Sequence, residues 1–174
     1  MFKNTIFRRM TALVLTLALA AAAALPGLAV YPMPIQTASE TEAVYLFNAD
    51  TGKTILNQNA GQQQYVASLT KLMTALLLLE SGKDLNGEVT VPTALTQEFR
   101  DIQNANGTTM GLRIGETVRR IDLLNAMLIV SANDAASVIA WDVGGSVVGF
   151  VQQMNAKAAE LGCTGTNFTC AHGL

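Results

Sequence analysis

Ser68 and Lys71 stand three positions apart in Ala67-Ser68-Leu69-Thr70-Lys71, at the head of an apolar run that ends at Glu80. Residues three apart on a helix share a face, so this spacing brings a serine hydroxyl within hydrogen-bond reach of a lysine amine. Burial disfavours the ammonium form, and the positive end of the helix dipole acts in the same direction, so such a lysine can be partly neutral and serve as a base. The same dipole stabilises a developing serine alkoxide. The result is an activated nucleophile that needs no imidazole, which matters because the single histidine, His172, lies far along the chain. The local residues leave a plainer reading equally open, in which Ser68 caps the helix and Lys71 snorkels to solvent. A second polar cluster, Ser131-Ala132-Asn133-Asp134, interrupts two apolar helical patterns. Its plain reading is an N-cap, with Asn133 or Asp134 opening the next helix.

The elements that must position these residues follow from the hydrophobic pattern. Ala43 to Phe47 is β-prone, residues 48–53 carry turn chemistry, and Thr54 to Asn57 can return as the second strand of a hairpin. From Ala67 to Glu80 apolar residues fall on nearly every helical face, which predicts a helix buried in the centre of the domain and ended by Ser81-Gly82. Glu88 to Val91 reads as a short strand before Pro92. Residues 93–118 have no sustained period, and Gln103-Asn104-Ala105-Asn106-Gly107 reads as a loop that could rim a site. Ile121, Leu124, Leu128 and Ile129 share a helical face, and a second helix runs through Val138, Ile139 and Trp141 to Gly144-Gly145. Ser146 then caps a third, whose apolar face is Phe150, Val151, Met154, Ala158 and Leu161. The order predicts an α+β fold with no internal repeat.

Composition limits the rest. With 50% hydrophobic and 14% charged residues in a chain of 174, disorder is excluded. Residues 1–29 carry Lys3, Arg8 and Arg9 and no acid. The eleven basic residues less these three leave eight against thirteen acids in residues 30–174, a net charge of −5, so no nucleic-acid partner is expected. The uncharged run from Met10 to Leu25 is 16 residues long and precedes Pro26-Gly27-Leu28-Ala29. That is too short for the ~20 residues of a spanning helix, and matches a secretory signal cleaved before Val30. Residues 1–29 are therefore read as a signal peptide, 30–42 as a flexible lead-in and 43–174 as the folded part, working outside the cytoplasm. Cys163, Cys170 and His172 fall short of a four-ligand zinc site, so no metal is expected. Export makes a Cys163–Cys170 disulfide possible.

Five segments in order carry a resemblance: residues 48–53; Ala67-Ser68-Leu69-Thr70-Lys71-Leu72-Met73-Thr74-Ala75; Leu123-Leu124 leading to Ser131-Ala132-Asn133-Asp134-Ala135-Ala136; Phe150-Val151 with Met154-Asn155 and Leu161-Gly162; and His172-Gly173-Leu174. From about Ala43 onward the chain resembles the D-alanyl-D-alanine carboxypeptidases, the low-molecular-mass penicillin-binding proteins. The resemblance implies the penicillin-binding protein/β-lactamase-like transpeptidase fold and removal of the terminal D-alanine from peptidoglycan stem pentapeptides. It further implies that Ser68 is the acylated nucleophile, Lys71 its base, Ser131 a proton relay to the leaving amine and Asn133 a clasp on the substrate peptide. The backbone N–H of Ser68 would form part of the oxyanion hole. No cofactor is implied, and β-lactam antibiotics would acylate Ser68.

Departures from the family pattern set further expectations. No Lys-Thr-Gly tripeptide occurs in the sequence, and in the family that motif lies on a strand downstream of His-Gly-Leu. The chain is accordingly expected to stop before the C-terminal sheet strands, to retain the first hairpin as its sole evident sheet, to lack the family's membrane-associating region, and to be weakly active or inactive. An alternative is a catalytically dead module of the same fold that binds peptidoglycan or a partner protein. A β-lactamase is disfavoured, because Ala132 stands where class A enzymes have Asp and Glu160 lies within a predicted helix. Cys170-Ala171 replaces the family's Asn-Pro, and His172 is read as a structural turn residue.

Overall fold

The computed structural model describes residues 39–174. The predicted signal peptide and most of the lead-in lie outside these residues. The chain divides into two compact units, one up to Ala60 and one from Gly61 onward, each described here by itself.

The first unit is the expected hairpin. Strands β1 (Val44–Asn48) and β2 (Lys53–Gln58) pair antiparallel, with a bulge between Leu46 and Phe47. The turn is closed by the Asn48 side chain, whose Oδ1 accepts the Thr51 N–H at 2.8 Å. Tyr45 and Phe47, two apart and so on one face, stack with ring centroids 6.3 Å apart.

The second unit is mainly helical. A 3₁₀ turn (Ala67–Leu69) runs into α1 (Thr70–Glu80). After β3 (Glu88–Thr90) and a second 3₁₀ turn (Thr93–Leu95) comes α2 (Thr96–Asn104), followed by β4 (Thr117–Arg119), α3 (Arg120–Ile129), α4 (Asn133–Gly144) and α5 (Val147–Glu160). The core gathers Leu78, Leu95, Leu123, Met127, Val138, Ile139, Phe150 and Met154, each almost wholly buried. Ser146 caps α5 as the sequence predicts, accepting the Gly149 N–H at 2.9 Å. Gly145 ends α4 in the left-handed region.

Three expectations are corrected. The helix at the centre is α4, buried from Asn133 through Ala140, and not α1. Small side chains at Ala135, Ala136, Ser137 and Ala140 let neighbouring helices approach α4 closely, whereas α1 leaves Leu72 and Leu79 more than half exposed. Secondly, residues 93–118, whose sequence shows no sustained period, hold α2 and the start of β4, and the loop expected at 103–107 begins only after Asn104. The mostly polar α2 is only nine residues long and carries its apolar side on Phe99 and Ile102, three positions apart, too few to mark a helix in the sequence; Leu95, almost wholly buried, and Phe99 tie this region to the core. Thirdly, the hairpin is not the sole sheet among the described residues, since β3 pairs antiparallel with β4 through Glu88–Arg119, Val89–Val118 and Thr90–Thr117. The sequence already marks β3 within residues 88–91, whereas β4 is only three residues long and is hidden from pattern reading. Cys163 and Cys170 are free thiols, so the disulfide that export would permit is not formed.

Candidate active site

The 3₁₀ turn places Ser68 at the entrance of α1, and the first turn of the helix places Lys71 behind it. Lys71 Nζ lies 3.2 Å from Ser68 Oγ. The lysine is 2% exposed, which removes the snorkelling reading, and the Ser68 hydroxyl partners Lys71 and Ser131 rather than a helix N–H. The loop between α3 and α4 brings Ser131 alongside, its hydroxyl donating to Ser68 Oγ at 2.9 Å. Ala67 and Ser131 both have positive φ, +47° and +60°. For residues with a Cβ this costs of order 1–3 kcal/mol each, and the two strained positions flank the Ser68 hydroxyl.

Two further acceptors fix the lysine. Nζ donates to Asn133 Oδ1 at 2.7 Å and to the His172 carbonyl oxygen at 2.9 Å. A charged lysine has three N–H bonds, and the three acceptors Ser68, Asn133 and His172 match them. A neutral lysine has two, which the stronger contacts to Asn133 and His172 take up, leaving the nitrogen lone pair facing the Ser68 hydroxyl. Burial pushes the Lys71 amine below its ordinary pKa, against an opposing influence from Cys170.

Asn133 is itself held from two sides. Its Nδ2 donates to the Thr108 carbonyl at 3.0 Å, and its backbone N–H reaches the same oxygen at 2.8 Å. One amide N–H and one oxygen lone pair remain for another partner. Gly107 makes this approach possible: a Cβ there would come within 2.9 Å of Asn133 Nδ2. The next residue, Asp134, ties the segment down, its carboxylate accepting N–H groups from Met110 (3.0 Å), Gly111 (3.1 Å), Leu112 (3.0 Å) and Ala135 (2.9 Å).

The last residues of the chain thread along the start of α1. Thr74 Oγ1 donates to the Ala171 carbonyl at 2.6 Å. Gly173, at φ +79°, passes so close to the Ala67 carbonyl that no side chain fits. The His172 ring is buried, with Nε2 3.2 Å from Glu98 Oε1 and Nδ1 accepting the Leu174 N–H at 3.1 Å. Burial lowers the imidazole pKa, but Cys170 and Glu98 more than offset it and hold it at about 9. His172 in turn lowers the Cys170 thiol to about 6 against its own burial.

The four residues singled out from sequence, Ser68, Lys71, Ser131 and Asn133, thus converge within one hydrogen-bonded cluster. Sequence reasoning misses the carbonyls of His172 and Thr108 and the carboxylate of Glu98, and reads Asp134 only as a candidate helix cap. Backbone oxygens carry no sequence signal, and Glu98 lies on a short polar helix in the stretch that shows no sustained period. His172 was noted, but for its ring rather than its carbonyl.

Known proteins resemble this chain in sequence and in fold. The family profile described as D-alanyl-D-alanine carboxypeptidase matches residues 32–174. The D-alanyl-D-alanine carboxypeptidase DacF of Bacillus subtilis is 33% identical over 142 residues, covering 80% of this chain and 35% of that protein. A D-alanyl-D-alanine endopeptidase of Pseudomonas aeruginosa is also 33% identical over 142 residues, covering 82% of this chain and 44% of that protein. The crystal structure of the Streptomyces K15 DD-transpeptidase superposes with a TM-score of 0.67 at 29% identity, over 74% of this chain and 51% of that one. The chain therefore spans less than half the length of these curated relatives, within an α+β fold that it shares with the transpeptidase.

Proposed function

The chain belongs to the D-alanyl-D-alanine carboxypeptidase family, and we propose that it carries that family's serine acyl-transfer site, acting on peptidoglycan stem peptides that end in D-Ala-D-Ala. The observation that supports this most directly is the Ser68 hydroxyl, held between Lys71 Nζ at 3.2 Å and Ser131 Oγ at 2.9 Å. In this reading neutral Lys71 accepts the Ser68 proton as Oγ attacks the carbonyl carbon of the penultimate D-alanine. Asn133 and the His172 carbonyl hold the two lysine N–H bonds, so the lone pair is aimed before substrate arrives. The Ser68 backbone N–H contributes to the oxyanion hole, where one donor is worth ~3–4 kcal/mol of barrier. As the tetrahedral intermediate collapses, the C–N bond to the terminal D-alanine breaks, and its amine takes up, by way of Ser131, the proton that Lys71 took from Ser68, leaving Lys71 neutral. The remaining amide N–H of Asn133 is free for a substrate carbonyl. Water then cleaves the Ser68 ester with Lys71 again as base. A β-lactam would stop at the acyl-enzyme stage. Residues 1–29 would direct the protein across the membrane, so that it acts on the outer face, where the wall is built.

The test is labelling of the protein by a fluorescent penicillin, with Ser68→Ala as control and intact-mass detection of the adduct, beside release of D-alanine from a D-Ala-D-Ala peptide. Ser68-dependent labelling with D-alanine release is the expected result. Cell-wall binding that survives Ser68→Ala, with no labelling of either protein, would instead support a binding module.

A further inference from the structure

Glu98 stands outside the Ser68–Lys71–Ser131–Asn133 cluster, yet it is joined to it through one peptide unit. It projects from α2 and its Oε1 meets two groups, the Ser137 hydroxyl of α4 at 3.1 Å and His172 Nε2 at 3.2 Å. The carbonyl of that same His172 accepts the Lys71 ammonium at 2.9 Å. His172 has a side-chain anchor in Glu98 and backbone neighbours fixed at Ala171, by Thr74, and at Gly173, by its close pass against Ala67. Rotation of the ring away from α2 would swing its peptide, because the flanking residues leave no slack for a compensating turn. The Glu98 contact is thus the side-chain anchor that holds the ring toward α2, behind the carbonyl that Lys71 reaches and beside the Ala171 carbonyl that Thr74 holds.

We infer that Glu98 is a positioning residue for Lys71, acting through the His172 ring and carbonyl to aim the lysine at Ser68. Ser137, wholly buried, fixes Glu98 in turn. The titratable groups facing this relay are Glu98 on α2, Lys71 on α1, and Cys170 and His172 on the terminal segment. Loss of Glu98 releases the His172 carbonyl from Nζ, and a lysine that loses an acceptor for its charged form binds its proton less tightly. The inference rests on the reading of Lys71 as base for its catalytic meaning, but the aim of the lysine is measurable without turnover.

The experiment uses the full chain in three forms: wild type, Glu98→Ala, and Glu98→Gln, whose amide oxygen can still accept from Nε2. The Lys71 ε-methylene is followed by carbon–proton NMR across pH, assigned by its absence in Lys71→Arg, with the His172 ring read in parallel. In Glu98→Ala the Lys71 midpoint is expected to move to lower pH, with proton affinity down about tenfold, the order of one buried hydrogen bond. In Glu98→Gln it stays near wild type. Penicillin acylation of the same samples is expected to slow about tenfold in Glu98→Ala and to recover in Glu98→Gln. An unchanged Lys71 midpoint in folded Glu98→Ala would overturn the inference, whatever the fraction of protein that folds. A wild-type protein that shows the NMR shift pattern but no Ser68 acylation would instead overturn the functional reading and leave the positioning role in place.

Discussion

Lys71 Nζ donates to Asn133 Oδ1 at 2.7 Å, joining residues 62 positions apart through a buried contact. The two belong to different helices, α1 and α4, and each lies in the first turn of its own. A shift of either helix along its axis by one residue, about 1.5 Å, would break this contact and turn the lysine from Ser68. The packing of α1 against α4 is therefore what sets the nucleophile's partner.

Acylation of Ser68 should rise with pH, because the neutral amine is the active form. The amine's pKa is lowered by burial, so the ascending limb should fall below the ordinary lysine value of about 10.4. Lys71→Arg keeps the charge and removes the base. It should reduce the acylation rate by about 10²–10⁴-fold, the usual contribution of a general base. Stopped-flow rates with a chromogenic β-lactam across pH would measure both, and a flat profile would contradict the role.

Gly173→Ala should be severe for so small a change. The added Cβ meets the Ala67 carbonyl and comes within 2.7 Å of Thr70 Oγ1, at a φ of +79° that disfavours any side chain. Relief requires the terminal segment to lift from α1 and take the His172 carbonyl with it. Thermal melting should show a loss of about 1–3 kcal/mol, with acylation falling further than the folded fraction does.

Asp134→Ala removes the acceptor for four backbone N–H groups, those of Met110, Gly111, Leu112 and Ala135. Amides left without partners cost about 1–3 kcal/mol for each that water cannot reach. Hydrogen exchange should quicken at residues 110–112 above all. Protection that stays unchanged there would show that the carboxylate does not organise the segment.

Asp142 sits between Arg120, at 2.7 Å, and Lys83, at 3.3 Å. Burial alone raises its pKa, but these two cations more than reverse that and hold the carboxyl below its usual range. A folded-state pKa below the unfolded one gives stability that is present above the unfolded value, about 3.9, and lost as pH falls through the folded value. Asp142→Asn should cost about 1.5–3 kcal/mol at pH 7 by taking the charged acceptor away from Arg120 and Lys83. In acid the gap between the two proteins should narrow, and melting curves from pH 7 to pH 2 would reveal a constant gap if the pair contributes nothing through its charge.

Much of this molecule was legible before any coordinates. The hairpin, the helix that begins at Ser68-x-x-Lys71, the break at Ser131 and the cap at Ser146 each announce themselves through residues close in sequence, where turn and capping chemistry act over three or four positions. Residues 93–118 were not legible in the same way. The short polar helix α2 and the three-residue strand β4 depend on tertiary contacts, Leu95 and Phe99 against the core and β4 against β3, and are too short to establish a pattern, whereas β3 is readable within residues 88–91.

The sequence by itself determined the chemistry on offer: a serine beside a lysine, a second serine beside an asparagine, and an order of segments that marks the family. Only the tertiary structure decided how that chemistry is aimed. The two lysine N–H bonds are claimed by an amide oxygen 62 residues away and a carbonyl 101 residues away, and the ring behind that carbonyl is held by Glu98, 74 residues off. Such contacts depend on where whole helices come to rest, and a backbone carbonyl looks the same whatever residue carries it. Residue types can therefore name the nucleophile and base, whereas the direction of the lone pair is a property of the packed core.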